Sequence, residues 1–337
     1  MSFDCSRFTF NAWHDFLGVV MQQGRVQLDA DWNEFSTQLL RRIQAGTLDT
    51  FGEPVVPRVT PNGFKIEAAG GALSIGVGRI YVDGLLAENH GAAPLQWDPL
   101  LAEQSGTVAL NYGAQPYYPQ PPALPGGGPH LVYLDVWQRE VTYLQYPDLV
   151  EKAVGVDTTA RLQTVWQVKV LPNVGTEDCA TADEDIPGWA AATAPSGARL
   201  STSTGAVDET PNPCLILPSG GYRGLENQLY RVEIHDGGNT AAASFKWSRD
   251  NATVASRVSH INAARDRIVV DSLGRDSVLG FADGDWVEVI DDHRELHGLP
   301  GAMARIAFGG GVDDATRTLT LVDPLPAGLF PTNAQEE

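Results

Sequence analysis

The sequence predicts a mainly β protein with short antiparallel strands in a barrel- or sandwich-like arrangement and one N-terminal amphipathic α-helix. From about residue 51 onward, short apolar runs alternate with Gly- and Asp-rich turns, the pattern of short strands. The 35 glycines and 22 prolines among 337 residues also indicate many turns. Strand-like and helix-like segments do not alternate regularly, which disfavours a Rossmann or α/β-barrel fold.

The helix is predicted in RVQLDADWNEFSTQLLRRIQAG, residues 25–46. Trp32, Phe35, Leu39 and Ile43 recur at spacings of three and four, which places them in one stripe along a helix. Asp31 is the predicted N-cap, with Glu34 completing a capping box, and Gly46 is the predicted stop. A stripe of this kind must be covered by the chain itself or by a partner. We therefore expect residues 1–50 to form an N-terminal arm and helix that make an assembly contact.

The strands that follow are predicted from apolar runs and turn signals. Asp83-Gly84 between two apolar runs indicates a hairpin. The segment HLVYLDVWQREVTYLQY, residues 130–146, is interpreted as two strands. Further strands are predicted in TVWQVKVLP, LYRVEIH, SFKWSRD, DRIVVDS, DWVEVIDD and RTLTLVDPL.

Two low-complexity stretches suggest a division into domains. Residues 51–172 are predicted to form a first β domain, from which the Pro/Gly-rich stretch 114–129 extends as an exposed loop. Residues 173–213, acidic and then polar, are predicted to be a long loop or linker. Residues 214–337 are the predicted second β domain.

Charge and cysteine content restrict the function classes. A formal net charge of −19 repels phosphate backbones and anionic lipids, so we expect no nucleic-acid binding and no membrane insertion. The first residues lack the charged start and apolar run of a signal peptide, so we expect synthesis in the cytoplasm. Cys5, Cys179 and Cys214 lack CxxC spacing, which favours free thiols. A pair of Cys179 and Cys214, bridged or sharing a metal, stays open.

The densest group of charges lies in GYRGLENQLYRVEIH, residues 221–235. In a strand, alternate side chains share a face. The charged face would consist of Leu229, Arg231, Glu233 and His235. The apolar face, which is predicted to be core, would consist of Tyr230, Val232 and Ile234. Ion pairs to neighbouring strands or to another subunit are the favoured interpretation of the charged face. A catalytic acid/base pair is the alternative.

Two stretches have partial metal-site patterns. In LDADWNEF, Asp29, Asp31 and Asn33 have calcium-loop spacing, but Glu34 stands where that loop needs Gly, and the helix explains the residues better. A second stretch, DDHRELH, contains a possible zinc-ligand set but has Arg where the zincin pattern needs Glu, so a polar loop is favoured. Its candidate ligands are Asp291, Asp292, His293 and His297. We therefore assign no catalytic residue, metal or cofactor.

Three regions together resemble a family of uncharacterised bacterial domains. They are MQQGRVQLDADWNEF, LVYLDVWQREVTYL with DTTARLQTVWQVKV, and GYRGLENQLYRVEIH with FKWSRDNATV and GDWVEVIDD. The family is associated with contractile phage tails and phage tail-like injection systems, and some members precede a right-handed β-helix. The resemblance implies a structural subunit near the baseplate or the fibre or spike attachment. It also implies other particle proteins as partners and a homo-oligomer, a trimer by analogy with fibres and spikes.

Two alternatives to the structural role remain. One is a surface-glycan-binding tail-fibre module that uses exposed tyrosines of the Pro-rich region, with Tyr112, Tyr117 and Tyr118 as candidates. The other is a polysaccharide hydrolase. Relatives often continue into further domains, whereas this sequence ends at PTNAQEE, so we expect the receptor-binding or enzymatic parts of those domains to be absent from it.

Overall fold

A computed structural model of the chain describes residues 4–90, 110–178, 180–201, 203 and 229–330. Within these ranges the protein is mainly β, as predicted, with seventeen short strands and three α-helices. All strand pairs are antiparallel. Among the described residues, no helix is both long enough and apolar enough to cross a bilayer.

The N-terminal half contains nine of these strands. They are β1 (Pro54–Val55), β2 (Ile66–Ala69), β3 (Ala72–Ile75), β4 (Gly78–Val82), β5 (Leu85–Asn89), β6 (Leu131–Val141), β7 (Val150–Glu151), β8 (Val156–Asp157) and β9 (Arg161–Leu171). They form a three-stranded sheet in the order β1-β4-β5 and three pairs, β2-β3, β6-β9 and β7-β8.

The predicted Asp83-Gly84 turn is confirmed, and it joins β4 to β5. Both residues have positive φ, 47° and 76°, which a type I′ hairpin turn requires. The prediction of two strands in residues 130–146 is wrong. One strand, β6, runs from Leu131 to Val141 because every one of its residues pairs with β9, and the chain turns only at Thr142.

The C-terminal half contains the other eight strands. They are β10 (Arg231–Ile234), β11 (Phe245–Ser248), β12 (Val258–Ile261), β13 (Arg267–Val270), β14 (Trp286–Val289), β15 (Ala302–Arg305), β16 (Val312–Asp313) and β17 (Thr318–Thr320). They form a four-stranded sheet, β12-β13-β17-β16, and two hairpins, β10-β11 and β14-β15.

Among the described residues, most of the buried apolar side chains belong to two core clusters. The first surrounds Trp166, whose indole Nε1 donates to the Glu88 carbonyl at 2.8 Å and whose ring meets Phe64 edge-on at 5.0 Å. It comprises Phe64, Ile75, Ala87, Tyr112, Tyr118, Trp166 and Val168. The second comprises Ile261, Ile268, Val270, Val289, Ala302, Ala304, Ile306, Leu319, Leu321, Leu325 and Phe330. The predicted domain boundaries stay a prediction.

Helix α1 (Asp29–Phe51) confirms the N-terminal helix but differs from it at both ends. Leu28, not Asp31, is the N-cap, and the Asp31 carboxylate accepts a hydrogen bond from the Leu28 amide at 2.9 Å. The helix continues through Gly46 to Gly52, where φ is 90°. A glycine inside a helix costs only about 1 kcal/mol relative to alanine. Contacts with the β4-β5 turn can offset that cost.

The described residues also contain two short α-helices, α2 (Trp189–Ala192) and α3 (Asp292–Leu296). The expectation of a polar loop in DDHRELH is wrong, because Asp291 caps α3 by accepting a hydrogen bond from the Arg294 amide at 2.8 Å. The α3 segment, between β14 and β15, is also hydrogen-bonded to β9. Gln167, fully buried in β9, donates to the Leu296 carbonyl at 2.8 Å.

Candidate functional site

The apolar stripe of α1 faces outward. Trp32, Phe35, Leu39 and Ile43 are between 40% and 59% exposed. The two side chains that the helix buries are Ala30 and Gln38, one small and one polar. An amphipathic helix of a monomeric domain normally turns its apolar stripe to the core. This helix has the opposite orientation.

Polar contacts account for the orientation of α1. Asn33 donates to the Ser6 hydroxyl at 3.2 Å, and the Thr9 hydroxyl donates to Glu34. Near the other end, the Gln44 side chain donates to the Asp83 carbonyl at 2.9 Å. The polar side of α1 is therefore held against the arm and the β4-β5 turn, and the stripe is left free.

Residues 10–28, here called the N-terminal loop, precede α1 and are almost entirely exposed. The loop is held at both ends, by Thr9 on Glu34 and by the Leu28 amide on Asp31. Its large exposed apolar side chains are Trp13, Phe16, Leu17, Val20, Met21, Val26 and Leu28. An apolar surface of this extent marks an interaction site or an aggregation liability.

The β10-β11 hairpin also exposes its apolar face to solvent. Its apolar face was predicted to be core, and that prediction is wrong. Tyr230, Val232, Ile234, Phe245 and Trp247 are between 41% and 65% exposed. The rings of Tyr230 and Trp247 stack with their centroids 6.1 Å apart.

The charged face of the hairpin points inward and accounts for this orientation. Glu233 lies opposite Lys246 across the strand pair. The Lys246 ammonium lies 3.4 Å from a Glu233 oxygen and donates to both oxygens of Glu288, on β14, at 2.6 and 2.5 Å. Arg231 Nε lies 3.9 Å from Glu233 Oε1. The predicted group of Arg231, Glu233 and His235 is thus brought together and extended to a second hairpin.

Glu288 is the acceptor at the centre of this network. Burial acts to raise the pKa of its carboxyl group. The hydrogen bond and charge of Lys246, with a hydrogen bond from the Gly301 amide, outweigh burial, and the pKa lies below its ordinary value. His235 Nδ1 lies 3.9 Å from Glu288 Oε1, beside a small pocket of about 190 Å³. The two basic side chains, Arg231 and Lys246, balance the charges of the two acidic ones, Glu233 and Glu288. These four residues, here called the clamp, hold the β10-β11 hairpin to the β14-β15 hairpin.

Sequence reasoning missed Lys246 and Glu288. Glu288 lies 42 residues beyond its partner Lys246, so no local pattern connects the two. Only Lys246 could have been predicted. Directly opposite residues of an antiparallel pair point to the same face, and Lys246 lies opposite Glu233 in β10-β11.

Comparison with protein families identifies the chain's family. The family of unknown function DUF6519 matches residues 1–198 and again residues 188–336. The chain belongs to DUF6519. Comparisons with curated proteins and with solved structures gave no significant match. The two DUF6519 matches include α1, the N-terminal loop and the clamp.

The histidines of this DUF6519 chain that have zinc-site spacing both face one backbone carbonyl. His293 Nδ1 and His297 Nε2 lie 3.1 and 2.8 Å from the Pro119 oxygen, and their ring centroids are 4.2 Å apart. Within the described residues, no three potential metal ligands come together. Cys179 and Cys214 lie outside those residues. The two imidazoles connect α3 to Pro119, which lies in the irregular segment before β6.

The tyrosines proposed for glycan binding fall in different environments. Tyr112 and Tyr118 are buried in the first core cluster, so the expectation of exposed loop tyrosines is wrong for both. Burial, with Tyr118 adjacent, raises the pKa of Tyr112 to about 12. Tyr117 instead lines an open cleft of about 350 Å³ together with Arg139, Tyr146 and Asp292.

Arg139 is held at the wall of this cleft. Its Nε donates to the Gln163 side chain at 3.0 Å, and Nη1 lies 4.0 Å from Glu295. Among the described residues, Nη1 has no hydrogen-bond partner although the atom is buried. The Tyr146 hydroxyl accepts a hydrogen bond from Gln163 at 2.7 Å, which leaves its own proton available to donate.

Proposed function

We propose that this DUF6519 chain is a structural subunit of a contractile phage tail-like injection particle, at the baseplate or at the fibre or spike attachment. The observation that carries an assembly role is the orientation of α1, whose apolar stripe faces away from the chain's own cores. The class of particle is proposed from the resemblance of the three sequence regions named above. The proposed partners are other particle proteins and further copies of the chain, which is made in the bacterial cytoplasm.

Energetics support covering of the stripe by a partner. Complete burial of one large apolar side chain contributes about 1.5–3 kcal/mol. The stripe residues are about half exposed in the isolated chain, so about half of that burial free energy is still to be gained for each of them. They are Trp32, Phe35, Leu39 and Ile43. The contribution becomes available only on assembly. The polar contacts that fix α1 already position the stripe, so little ordering cost remains.

The test is incorporation of the chain into particles. Tagged wild-type, Phe35→Asp and Arg41→Ala chains are expressed in the bacterium that encodes the protein, and lysates are sedimented through a density gradient. Arg41 is the matched control, because it is exposed on the same helix outside the stripe. We expect wild type and Arg41→Ala to co-sediment with sheath and tube proteins, and Phe35→Asp to be reduced at least tenfold. A wild-type chain that stays in the low-mass fractions, or equal incorporation of Phe35→Asp, would contradict the proposal.

The cleft at Arg139 supports a second candidate function, binding of a surface saccharide. Tyrosine rings offer stacking faces to a sugar, and the guanidinium, phenol and Asp292 carboxylate offer hydrogen bonds. A glycan array probed with wild type and with Tyr146→Ala tests this function. Binding that Tyr146→Ala abolishes would support it, and an array without any wild-type signal would exclude it for the glycans displayed.

A further inference from the structure

We propose that the apolar face of the β10-β11 hairpin is a docking surface for the N-terminal loop of a second copy of this chain. The proposal deepens the proposed function and rests on it, because it names the surface that receives the N-terminal segment. The proposal stands on two exposed apolar surfaces, the N-terminal loop and the apolar face of the hairpin, which the chain holds near each other without either covering the other.

The hairpin offers a continuous apolar surface. Val232 lies opposite Trp247 and Ile234 opposite Phe245 in the strand register, and Tyr230 stacks on Trp247. An isolated two-stranded hairpin is marginally stable in water. The clamp at Lys246 and Glu288 holds this hairpin by its charged face, so the apolar face remains available. Tyrosine and tryptophan are also the residues enriched at the energetic centres of interfaces.

The segment that leads into the N-terminal loop is hydrogen-bonded near the end of the same hairpin. Asn251, three residues beyond β11, donates to the Cys5 carbonyl at 2.9 Å. Arg231, at the start of β10, donates to the Asn251 side chain at 3.3 Å. The loop nevertheless keeps its side chains exposed, Trp13 by 92%, and the hairpin face is exposed too. The two surfaces therefore do not cover each other within one chain, and a second copy is the occupant that can satisfy both.

Charge does not oppose a second copy at this contact. The chain carries a net charge of −19, which opposes self-association through most of its surface. The loop, residues 10–28, has one acidic residue, Asp15, and one basic residue, Arg25. The hairpin segment, residues 229–248, has two acidic and two basic residues. Both surfaces are neutral, so two copies can meet there without the repulsion that the rest of the chain imposes.

The area of the hairpin's apolar face fits a weak contact between copies, one that is strengthened when several copies assemble. Five large side chains that are about half exposed offer on the order of 500 Å² on the hairpin side. A standard interface buries about 800 Å² per partner, so the contact is weaker than a permanent dimer interface. The loop of one copy on the hairpin of the next is a heterologous contact, which closes into a ring when the rotation between copies allows it. A ring of three matches the trimer expected from the resemblance.

Photo-crosslinking with isotope-mixed chains tests the contact. A photoreactive p-benzoylphenylalanine replaces Trp247 in the full chain, and ¹⁴N- and ¹⁵N-labelled proteins are mixed at raised salt before irradiation. We expect mass spectrometry to find crosslinks from position 247 to residues 10–28 that join light and heavy peptides. Same-isotope crosslinks alone, crosslinks to residues 204–228 or to α1, or an absence of crosslinks would overturn the proposal.

Sedimentation equilibrium of Trp247→Asp provides the second readout. Its matched control is Val278→Asp, since Val278 is 85% exposed in the turn between Gly274 and Gly280. We expect Trp247→Asp to weaken self-association at least tenfold and Val278→Asp to leave it unchanged, and equal effects would overturn the proposal. Particles that contain the chain although position 247 gives no crosslink would refute this contact and leave the proposed function intact. Crosslinks from a chain that enters no particle would refute the proposed function alone.

Discussion

At the residue scale, Glu288 and Glu233 share the ammonium of Lys246 but hold it unequally. Glu288 accepts two hydrogen bonds from Lys246 and one from the Gly301 amide, whereas Glu233 lies 3.4 Å from Lys246 and 3.9 Å from Arg231. The Glu233 side chain is also 28% exposed. Removing one partner of a buried ion pair costs about 3–5 kcal/mol. The Glu288 side chain is 22% exposed, so both carboxylates fall below that range, and Glu288 differs from Glu233 by its three hydrogen bonds.

We therefore expect Glu288→Ala to lower the free energy of unfolding by about 1–3 kcal/mol, because it leaves the Gly301 amide without its acceptor. Glu233→Ala is expected to cost about 0.5–1 kcal/mol, in the range of a partly exposed pair. Urea unfolding of the two variants and the wild type measures the difference. A larger loss in Glu233→Ala than in Glu288→Ala would show that the clamp is centred elsewhere.

The lowered pKa of Glu288 predicts an acid-sensitive clamp. A carboxyl group whose folded pKa lies below its ordinary value, 4.5, stabilises the fold above that pH and loses the contribution as the pH falls through the folded pKa. We expect wild type to be more stable than Glu288→Gln at pH 7 and the gap to narrow steadily below about pH 4.5. Urea midpoints measured at several pH values test this. A gap that is constant with pH would contradict the assigned role of Glu288.

At the element scale, Gly84 sets how closely α1 lies against the β4-β5 turn. A Cβ at this position would lie 2.4 Å from the Gln44 carbonyl oxygen, and φ is 76°. Gly71 has a similar φ of 81° but open space around its Cβ position, so Gly71→Ala isolates the cost of the backbone conformation.

We expect Gly84→Ala to destabilise the protein by more than Gly71→Ala, whose cost is about 1–2 kcal/mol. The difference arises because α1 must move away from the turn and lose the hydrogen bond from Gln44 to Asp83. Thermal unfolding of the two variants provides the measurement. Equal losses in the two variants would mean that α1 is not packed on this turn.

These elements also show how far the sequence could predict the structure. The Asp83-Gly84 hairpin and α1 were predictable because turn chemistry and helical periodicity are local properties. Periodicity also assigned the correct residues to the two faces of β10. It could not tell which face points inward, because that depends on Lys246 meeting Glu288 from a distant strand. The outward stripe of α1 depends in the same way on Asn33, Glu34 and Gln44 finding polar partners.

At the scale of the whole molecule, the net charge opposes self-association, whereas the charge balance of the apolar surfaces permits it. The clamp, the hairpin and the N-terminal loop are each balanced, whereas the chain carries −19. Repulsion between copies is screened over about 10 Å at 0.1 M salt and over shorter distances at higher salt. Apolar contacts between neutral surfaces are not weakened by that screening. Self-association should therefore strengthen as salt is raised, the reverse of a contact built on exposed ion pairs.

We propose that the outward apolar surfaces of the N-terminal loop and the hairpin are contacts between copies, and that assembly covers the stripe of α1. The molar mass of the purified chain, measured by light scattering over a range of concentrations at low and raised salt, tests it most directly. We expect a mass near that of the 36.2 kDa monomer at low salt, which rises toward a trimer at raised salt, and we expect a smaller rise in Trp247→Asp than in Val278→Asp. A wild-type chain that remains a monomer at every concentration and salt would show that these surfaces do not hold copies together.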